Sequence, residues 1–531
     1  MSSLSALSEP ATAHGHTLPQ IASPPKEKIG QALLVASTVW LCTASLSIWH
    51  FTFDDSYIIF RYAENLAKGL GMVFNTGQRV EGYTSFLWAV LLAGAARLGA
   101  DIIFASKFLG ILLNLSALLA AYFLCRLVTT DKAPVYGTAL LLAATNAQFI
   151  TGSVAGLETP LFTSLLCWSL VAYLKAFRAT DGRTQERWWA WAAILFALLV
   201  MARPDGLLIY VVLWLYAAWS FRKQARSLAF FTFPFLLLYM PYFSWRWHYY
   251  GFLFPNTFYV KRGGTLALFA RGVTDTGKFF GLETGGWFLS GLVGLAVILF
   301  PATETTALGL AIASRILFEL WSGGVSPGEF HFLVSALPFF WILAERILVG
   351  GFGVFRGRGR SLAAGVCTLL IAMQVAAFFG FRKHRIEPVE IGMERAHIAL
   401  GSWLDAHSPP DATVAVGDIG AIGMWSHRRI LDLDGLTDAH IAHLPGVYPT
   451  RHDSRYIVRQ APDYVVLRTA KCEPESQDVS FGMDKAIYAD PQFSKDYTWI
   501  SCWEFWPRYD LVLYEARRQT ENLERARRAG Q

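Results

Sequence analysis

"FTFDDSYIIFRYAENLAKGLGMVFNTGQRVEGYTSF" spans Phe51 to Phe86, and its reading decides the rest of the chain. It follows the apolar run Gly30 to His50 and sets Asp54 beside Asp55 where that run ends. Charges at a bilayer boundary are costly and tend to serve a function. Thr52 and Asp55 have the T-x-x-D spacing of a helix cap, and acidic residues suit the positive end of a helix. On a helix starting there, Asp54, Tyr57 or Ile58, and Arg61 share one face. A carboxylate with a basic partner can also take a proton from a hydroxyl.

The surrounding composition is that of a membrane protein. Hydrophobic residues make up 54 % of the 531 and charged residues 16 %, with a mean hydropathy of +0.36. Apolar runs recur up to residue 381 and then give way to a mixed, polar composition. This predicts a polytopic α-helical membrane domain over 31–381, followed by an α/β soluble domain over 382–515. Residues 1–30 are Ser/Ala/Pro-rich and read as a disordered cytoplasmic segment, and 516–531 as a polar tail. The run after Gly30 shows no small-residue cleavage site and reads as an uncleaved signal anchor.

The net charge of +6 is not a nucleic-acid signal, because the basic residues sit in short clusters between apolar runs. The clusters are Lys26/Lys28, Arg126/Lys132, Lys175 to Arg187, Arg222 to Arg226 and Arg356 to Arg360. All five fall on one side if the short run 84–98 lies along the interface instead of crossing. A crossing needs about 20 apolar residues, so the reading is roughly eleven crossings plus that interfacial segment. The N-terminus is then cytoplasmic and the soluble domain outside a bacterial inner membrane. Cys472 and Cys502 are the two cysteines of the soluble part; an oxidising compartment would allow a disulfide between them without requiring it.

That topology gathers five polar loops on the outer face. In "GLETP", Glu158 precedes Pro160 and is either a capping residue or a second carboxylate toward an acceptor. In "ARPDG", Arg203 and Asp205 form either a turn with a local ion pair or a phosphate-facing arginine. Arg246, His248, Lys261 and Arg262 flank the aromatic loop "FPNTFY" and suit a lipid phosphate. "GDIGAIG" (Gly417 to Gly423) spaces its glycines G-x-x-G-x-x-G, which is not a dinucleotide fingerprint. "ATVAVG", "RRILDLDG", "DYVVLR" and "YDLVLYEA" read as strands.

The stretch from Phe53 through Trp88 resembles the first outer loop of GT-C membrane glycosyltransferases. It is most similar to the terminal arabinofuranosyltransferases that use decaprenyl-phosphate-arabinose. "GLETPLF", "ARPDG", "YYGFLFPNTFYVK" and "VGDIGAIGMWSHRRILDLDGLTD" continue the likeness in order. The resemblance implies an outward cavity that takes a polyprenyl-phosphate sugar from the lipid and a glycan or glycolipid acceptor from the aqueous side. It implies a first-loop aspartate as general base, which Asp54 matches, with Asp55 beside it. Arg61, Arg203, Arg246, Lys261 and His331 are the candidate groups for the donor phosphate, and Glu158 for the acceptor. A divalent cation at the paired aspartates is the one cofactor this reading admits. The sequence departs from the relatives in one loop. Where they carry GGDW and an arginine, this chain reads "SGGVSPGEFHF", with Val325 in place of the acid and His331 near the arginine position.

Two other classes remain open to the sequence. A lipid-linked sugar transporter would need no base and would show related halves and midplane charges. A non-catalytic envelope assembly protein would tolerate loss of the carboxylates.

Overall fold

The computed structural model describes residues 25–128, 137–261, 265–299, 301–324, 330–352, 358–446, 452–473, 479 and 481–518. The N-terminal segment up to residue 24, Lys132, Arg262, Val325 and the tail beyond residue 518 lie outside them.

The chain opens with α1 (Pro25–Ser47) and turns at once into α2 (Asp54–Ala67). After a glycine-rich loop come α3 (Phe86–Arg97), α4 (Ile102–Val128), α5 (Thr138–Thr145), α6 (Ala147–Val154), α7 (Thr159–Arg178) and α8 (Gly182–Ala202). Then follow α9 (Gly206–Ser220), α10 (Ala225–Tyr250), α11 (Asn256–Val260), α12 (Leu266–Leu282), α13 (Trp287–Leu299) and α14 (Thr303–Ser322). The bundle closes with α15 (His331–Val334), α16 (Leu337–Phe352) and α17 (Arg358–Phe381). Local chemistry sets the ends. Asn146 caps α6 by accepting from the Gln148 and Phe149 N–H groups, and Asp181 caps α8 through the Thr184 N–H. Pro160 sits in the first turn of α7, where no N–H is missed. α10 and α14 stop at Gly251 and Gly323, both left-handed.

This is a polytopic membrane protein. Among the described residues five helices are long and apolar enough to cross a bilayer, or six if the α12–α13 pair, bent by 101°, is one span. The expectation of eleven also counts the runs that form α5 with the start of α6, α8, α9, α14 and α16, which are shorter or more polar. α3 has 12 residues, about 18 Å of helix, against roughly 30 Å of hydrocarbon. α17 continues without a break through α18 (Glu387–Gly392) to α19 (Ala399–His407). The apolar helix Ser361–His407 has 47 residues, about 70 Å, so its far end stands clear of any bilayer and carries the sheet.

The sheet has the order β2-β1-β3-β5-β4. β1 (Thr413–Val416) pairs in parallel with β2 (Arg429–Asp432) and β3 (Tyr464–Thr469), while β5 (Tyr509–Ala516) runs antiparallel to β3 and to the edge strand β4 (Tyr497–Trp506). Between β1 and β2 lies α20 (Ile419–Ser426). Cys502 of β4 is disulfide-bonded to Cys472.

The sheet does not bury its inner face alone. One continuous core joins Tyr57, Phe60, Tyr62 and Phe74 of the first outer segment to Val414, Ile419, Ile422 and Ile430 of the sheet region. Phe60 and Tyr62 are both 0 % exposed, each contributing on the order of 2–3 kcal/mol by burial. The helix after the first span is thus welded to a domain that begins more than three hundred residues later.

The three glycines of "GDIGAIG" have their explanation in this weld. A Cβ on Gly417 would meet the Arg468 guanidinium, one on Gly420 the Asp54 backbone, and one on Gly423 the Phe74 ring and Arg61. They admit protein side chains and backbone.

Candidate active site

A cavity of about 640 Å³ opens among α2, α9, α11 and α14. One part of its wall is aliphatic and aromatic, built from Leu207, Leu208, Val211, Leu317, Phe318 and Trp321. The other part is polar and holds Asp55, Glu158, Arg203, Asp205, Lys261 and His331. Five of the eight predicted site residues therefore line one cavity. Asp54, Arg61 and Arg246 do not.

The difference between the two aspartates is geometric. Consecutive helical residues point about 100° apart. Asp55 is exposed and turned into the cavity, while Asp54 is turned into the sheet domain. The Asp54 carboxylate accepts from the backbone N–H of Gly420 at 3.1 Å and of Ala421 at 2.8 Å, in the first turn of α20. Burial pushes its pKa up to about 6, against the lowering pull of His397. Behind this contact, His397 Nε2 lies 2.9 Å from Asp418 Oδ2. Burial alone would raise Asp418. The His397 hydrogen bond and the charge of Arg468 instead hold it well below the usual carboxylate range. Arg468 in turn is held by Asp434 at 2.8 Å and Asp484 at 2.6 Å.

The T-x-x-D cap expected at Thr52 is not formed. Phe53 is the residue before α2 and no side chain caps it. Thr52 is buried and bonds Tyr57, and the acids of the first turn have other tasks.

Arg61 was expected on the donor phosphate. Its guanidinium donates instead to the carbonyls of Phe74 at 2.9 Å, Arg428 at 2.7 Å and Gly423. The shared face of Asp54 and Arg61 is real, but it grips α20. Arg246 is likewise spent, because it is buried against Glu81 with contacts of 2.9 and 2.8 Å. Glu81 escaped the sequence reading because nothing near "RVEGY" signals a partner 165 residues away.

Glu158 and Arg203 line the cavity but also pair with each other. Arg203 Nε also holds Asp205 at 2.9 Å, and Asp205 pairs with Arg315 of α14. Arg315 donates to the Phe332 carbonyl at 2.7 Å. Two arginines and two carboxylates thus form a charge-balanced buried row. Arg315 lies inside an apolar run and was not singled out, although an arginine there is itself a signal. Lys261 makes no ion pair among the described residues. It is the cation of the wall that no carboxylate of the described residues pairs with. Among the described residues no group of three or more His, Cys, Asp or Glu is arranged to hold a metal ion.

The roof of the cavity comes from the sheet domain. The Asp432 carboxylate accepts from the N–H groups of Asp434, Gly435 and Thr437 and folds the turn that carries Leu436 over the opening. Asn256 Nδ2 donates to the carbonyls of Gly435 at 2.8 Å and Leu436 at 3.0 Å. Gly82 passes beneath so closely that a Cβ would meet Thr437 at 2.6 Å.

Comparison with solved structures decides the architecture. ArnT from Cupriavidus metallidurans bound to undecaprenyl phosphate superposes with a TM-score of 0.57 at 12 % identity, covering 93 % of this chain and 98 % of that one. The fold is GT-C. The Archaeoglobus fulgidus oligosaccharyltransferase complex with Zn and sulfate shares it at a TM-score of 0.50 and 13 % identity, over 82 % of this chain and 67 % of that one. In sequence, the chain is 27 % identical over 249 residues to the terminal β-(1→2)-arabinofuranosyltransferase of Mycobacterium tuberculosis. That match spans 43 % of this chain and 39 % of the relative. Residues 386–522 match a domain of unknown function (DUF8728), the part of this GT-C chain that supplies α20, the sheet and the roof.

Proposed function

We propose that the protein transfers a sugar from a polyprenyl-phosphate donor to a hydroxyl of an envelope glycan or glycolipid, with inversion at the anomeric carbon. The observation that carries this reading is the two-part cavity. An apolar wall suited to a polyprenyl chain leads to a polar end where exposed Asp55 and Lys261, which has no ion-pair partner among the described residues, share one space. Arabinofuranose is the donor sugar favoured by the similarity to the mycobacterial relative.

In this mechanism Asp55 is the base, because only Asp55 of the pair lines the cavity. It takes the proton of the acceptor hydroxyl as that oxygen attacks the anomeric carbon. The bond from carbon to phosphate oxygen breaks, and polyprenyl phosphate leaves with the electron pair. A phosphate needs neutralisation more than protonation. Lys261 supplies the free charge, with His331 beside it. Arg203 serves indirectly, since Glu158 and Asp205 already balance it, and the row it belongs to holds the polar end in shape. The cavity would face the outer side of the cytoplasmic membrane, a placement the distribution of basic clusters supports.

The test is direct. Purified protein is given decaprenyl-phosphate arabinofuranose and an alkyl glycoside acceptor. Release of decaprenyl phosphate with a product of inverted configuration supports the reading. Inertness toward this donor and toward other polyprenyl-phosphate sugars contradicts it.

A further inference from the structure

We infer that Asp54 is a positioning residue, and that the sheet domain sets the catalytic helix through it. The inference rests on Asp55 acting as the base, and gives the C-terminal domain a task in that reaction beyond roofing the cavity.

Four independent observations converge on the start of α2. First, the Asp54 carboxylate is held by two backbone N–H groups at the N-terminus of α20, an end that favours negative charge. Second, the contact is tight from the sheet side as well, since a Cβ on Gly420 would come within 2.0 Å of the Asp54 carbonyl oxygen. Third, Arg61, two turns along the same face, grips the middle of α20 through the Gly423 carbonyl and the segment just past its end through the Arg428 carbonyl. Fourth, the membrane side fixes the same turn. The Phe53 N–H and the Ser56 hydroxyl both donate to the Ala155 carbonyl, at 3.2 and 2.6 Å. Lys107 donates to the Phe51 carbonyl at 2.9 Å.

Asp55 lies between these attachments and has none of its own among the described residues of the cavity wall. Its direction is therefore set by its neighbours. Asp54 and Arg61 fix the rotation of α2 about its axis, and Phe53 and Ser56 fix its height. Turning α2 by a fraction of the 100° between successive residues would swing Asp55 away from the polar end. A misplacement of about 1 Å at a reacting group can cost on the order of 10²-fold in rate. The group that would occupy a phosphate-type position at the α20 N-terminus is thus a carboxylate from the chain's own catalytic segment.

The experiment uses the full-length protein in detergent, with Asp54→Asn, Asp54→Ala and Gly420→Ala. Hydrogen–deuterium exchange reads the contact without reference to any donor. Each variant should expose the first turn of α2 and the first turn of α20 together, while exchange in α7 and α8 stays as in wild type. With decaprenyl-phosphate arabinofuranose as the probe donor, kcat should fall about tenfold to 10²-fold while the donor KM changes less than about twofold. Asp54→Ala should be worse than Asp54→Asn, which keeps one acceptor oxygen. Unchanged exchange at α2 in folded Gly420→Ala overturns the inference. So does an Asp54→Asn protein with unchanged exchange and no turnover at any pH, because Asp54 would then be the reacting group. An inert wild type with the expected exchange pattern supports the positioning contact and removes only the functional reading.

Discussion

The Asp54 carboxylate sits 2.8 Å from the backbone nitrogen of Ala421, 367 residues further along the chain. Its neighbour Asp55 looks the other way, into the cavity. Two adjacent acids therefore face two ways, one toward the sheet domain and one toward the cavity. The consequences can be measured.

The Asp54 contact should give the proposed transfer an acid limb. Burial raises the carboxyl from 3.8 to about 6; His397 and the Ala421 N–H lower it, while Asp418 and Asp55 raise it. Arg468 and Tyr509 act on it through Asp418. The folded protein holds this proton more tightly than the unfolded chain, so its ionisation reduces stability as pH rises from 3.8 to about 6. Below that pH the protonated group accepts less well from the two N–H groups. We expect kcat to fall on the acid side with a midpoint near 6, and Asp54→Asn to lack that limb. Its melting temperature relative to wild type should be more favourable at pH 7 than at pH 4.

Glu81 and Arg246 form a buried pair between the first outer segment and α10. Removing one partner leaves an unpaired buried charge, which costs roughly 3–5 kcal/mol. Glu81→Gln should therefore lower stability by about that amount, and Arg246→Met less, since it leaves a carboxylate that can take up a proton. Thermal melts of the two variants and the wild type check the order.

Cys472 and Cys502 close a loop of sequence separation 30 and pin the segment after β3 to the edge strand β4. Cys502→Ser should cost on the order of 2–4 kcal/mol. Intact mass before and after reduction and alkylation should show one disulfide in protein exported to an oxidising compartment. Two free thiols in such protein would contradict it.

Topology has its own check. A reporter active only in the periplasm, fused after Gln531, should be active, because only then do the basic clusters share the cytoplasmic side. An inactive, well-expressed fusion would place the cavity on the wrong face.

Much of this molecule is legible in its sequence, and the limits are physical. The quoted loop, "GLETP" and "ARPDG" lie far apart in the chain, yet Asp55, Glu158 and Arg203 meet in one cavity. Four strands follow from their β-branched runs. β4 was missed because it is an edge strand, half-buried over most of its length, with no clean alternation. Which aspartate faces the cavity was not legible, because helical neighbours differ only in a rotation that long-range packing sets. Arg61 and Arg246 were read as candidates for the donor phosphate. Apart from the Phe74 carbonyl, their partners, the Gly423 and Arg428 carbonyls and Glu81, lie far from them in sequence.

The central claim is that Asp55 is the base in this cavity. Transfer from decaprenyl-phosphate arabinofuranose should be measured for Asp55→Asn beside Asp54→Asn, with melting temperature and donor binding on the same samples. We expect Asp55→Asn to fold and bind donor normally and to lose about 10²- to 10⁴-fold in rate, while Asp54→Asn retains measurable turnover. An Asp55→Asn protein that keeps more than about a tenth of the wild-type rate, a loss far short of that expected for a general base, would contradict the account.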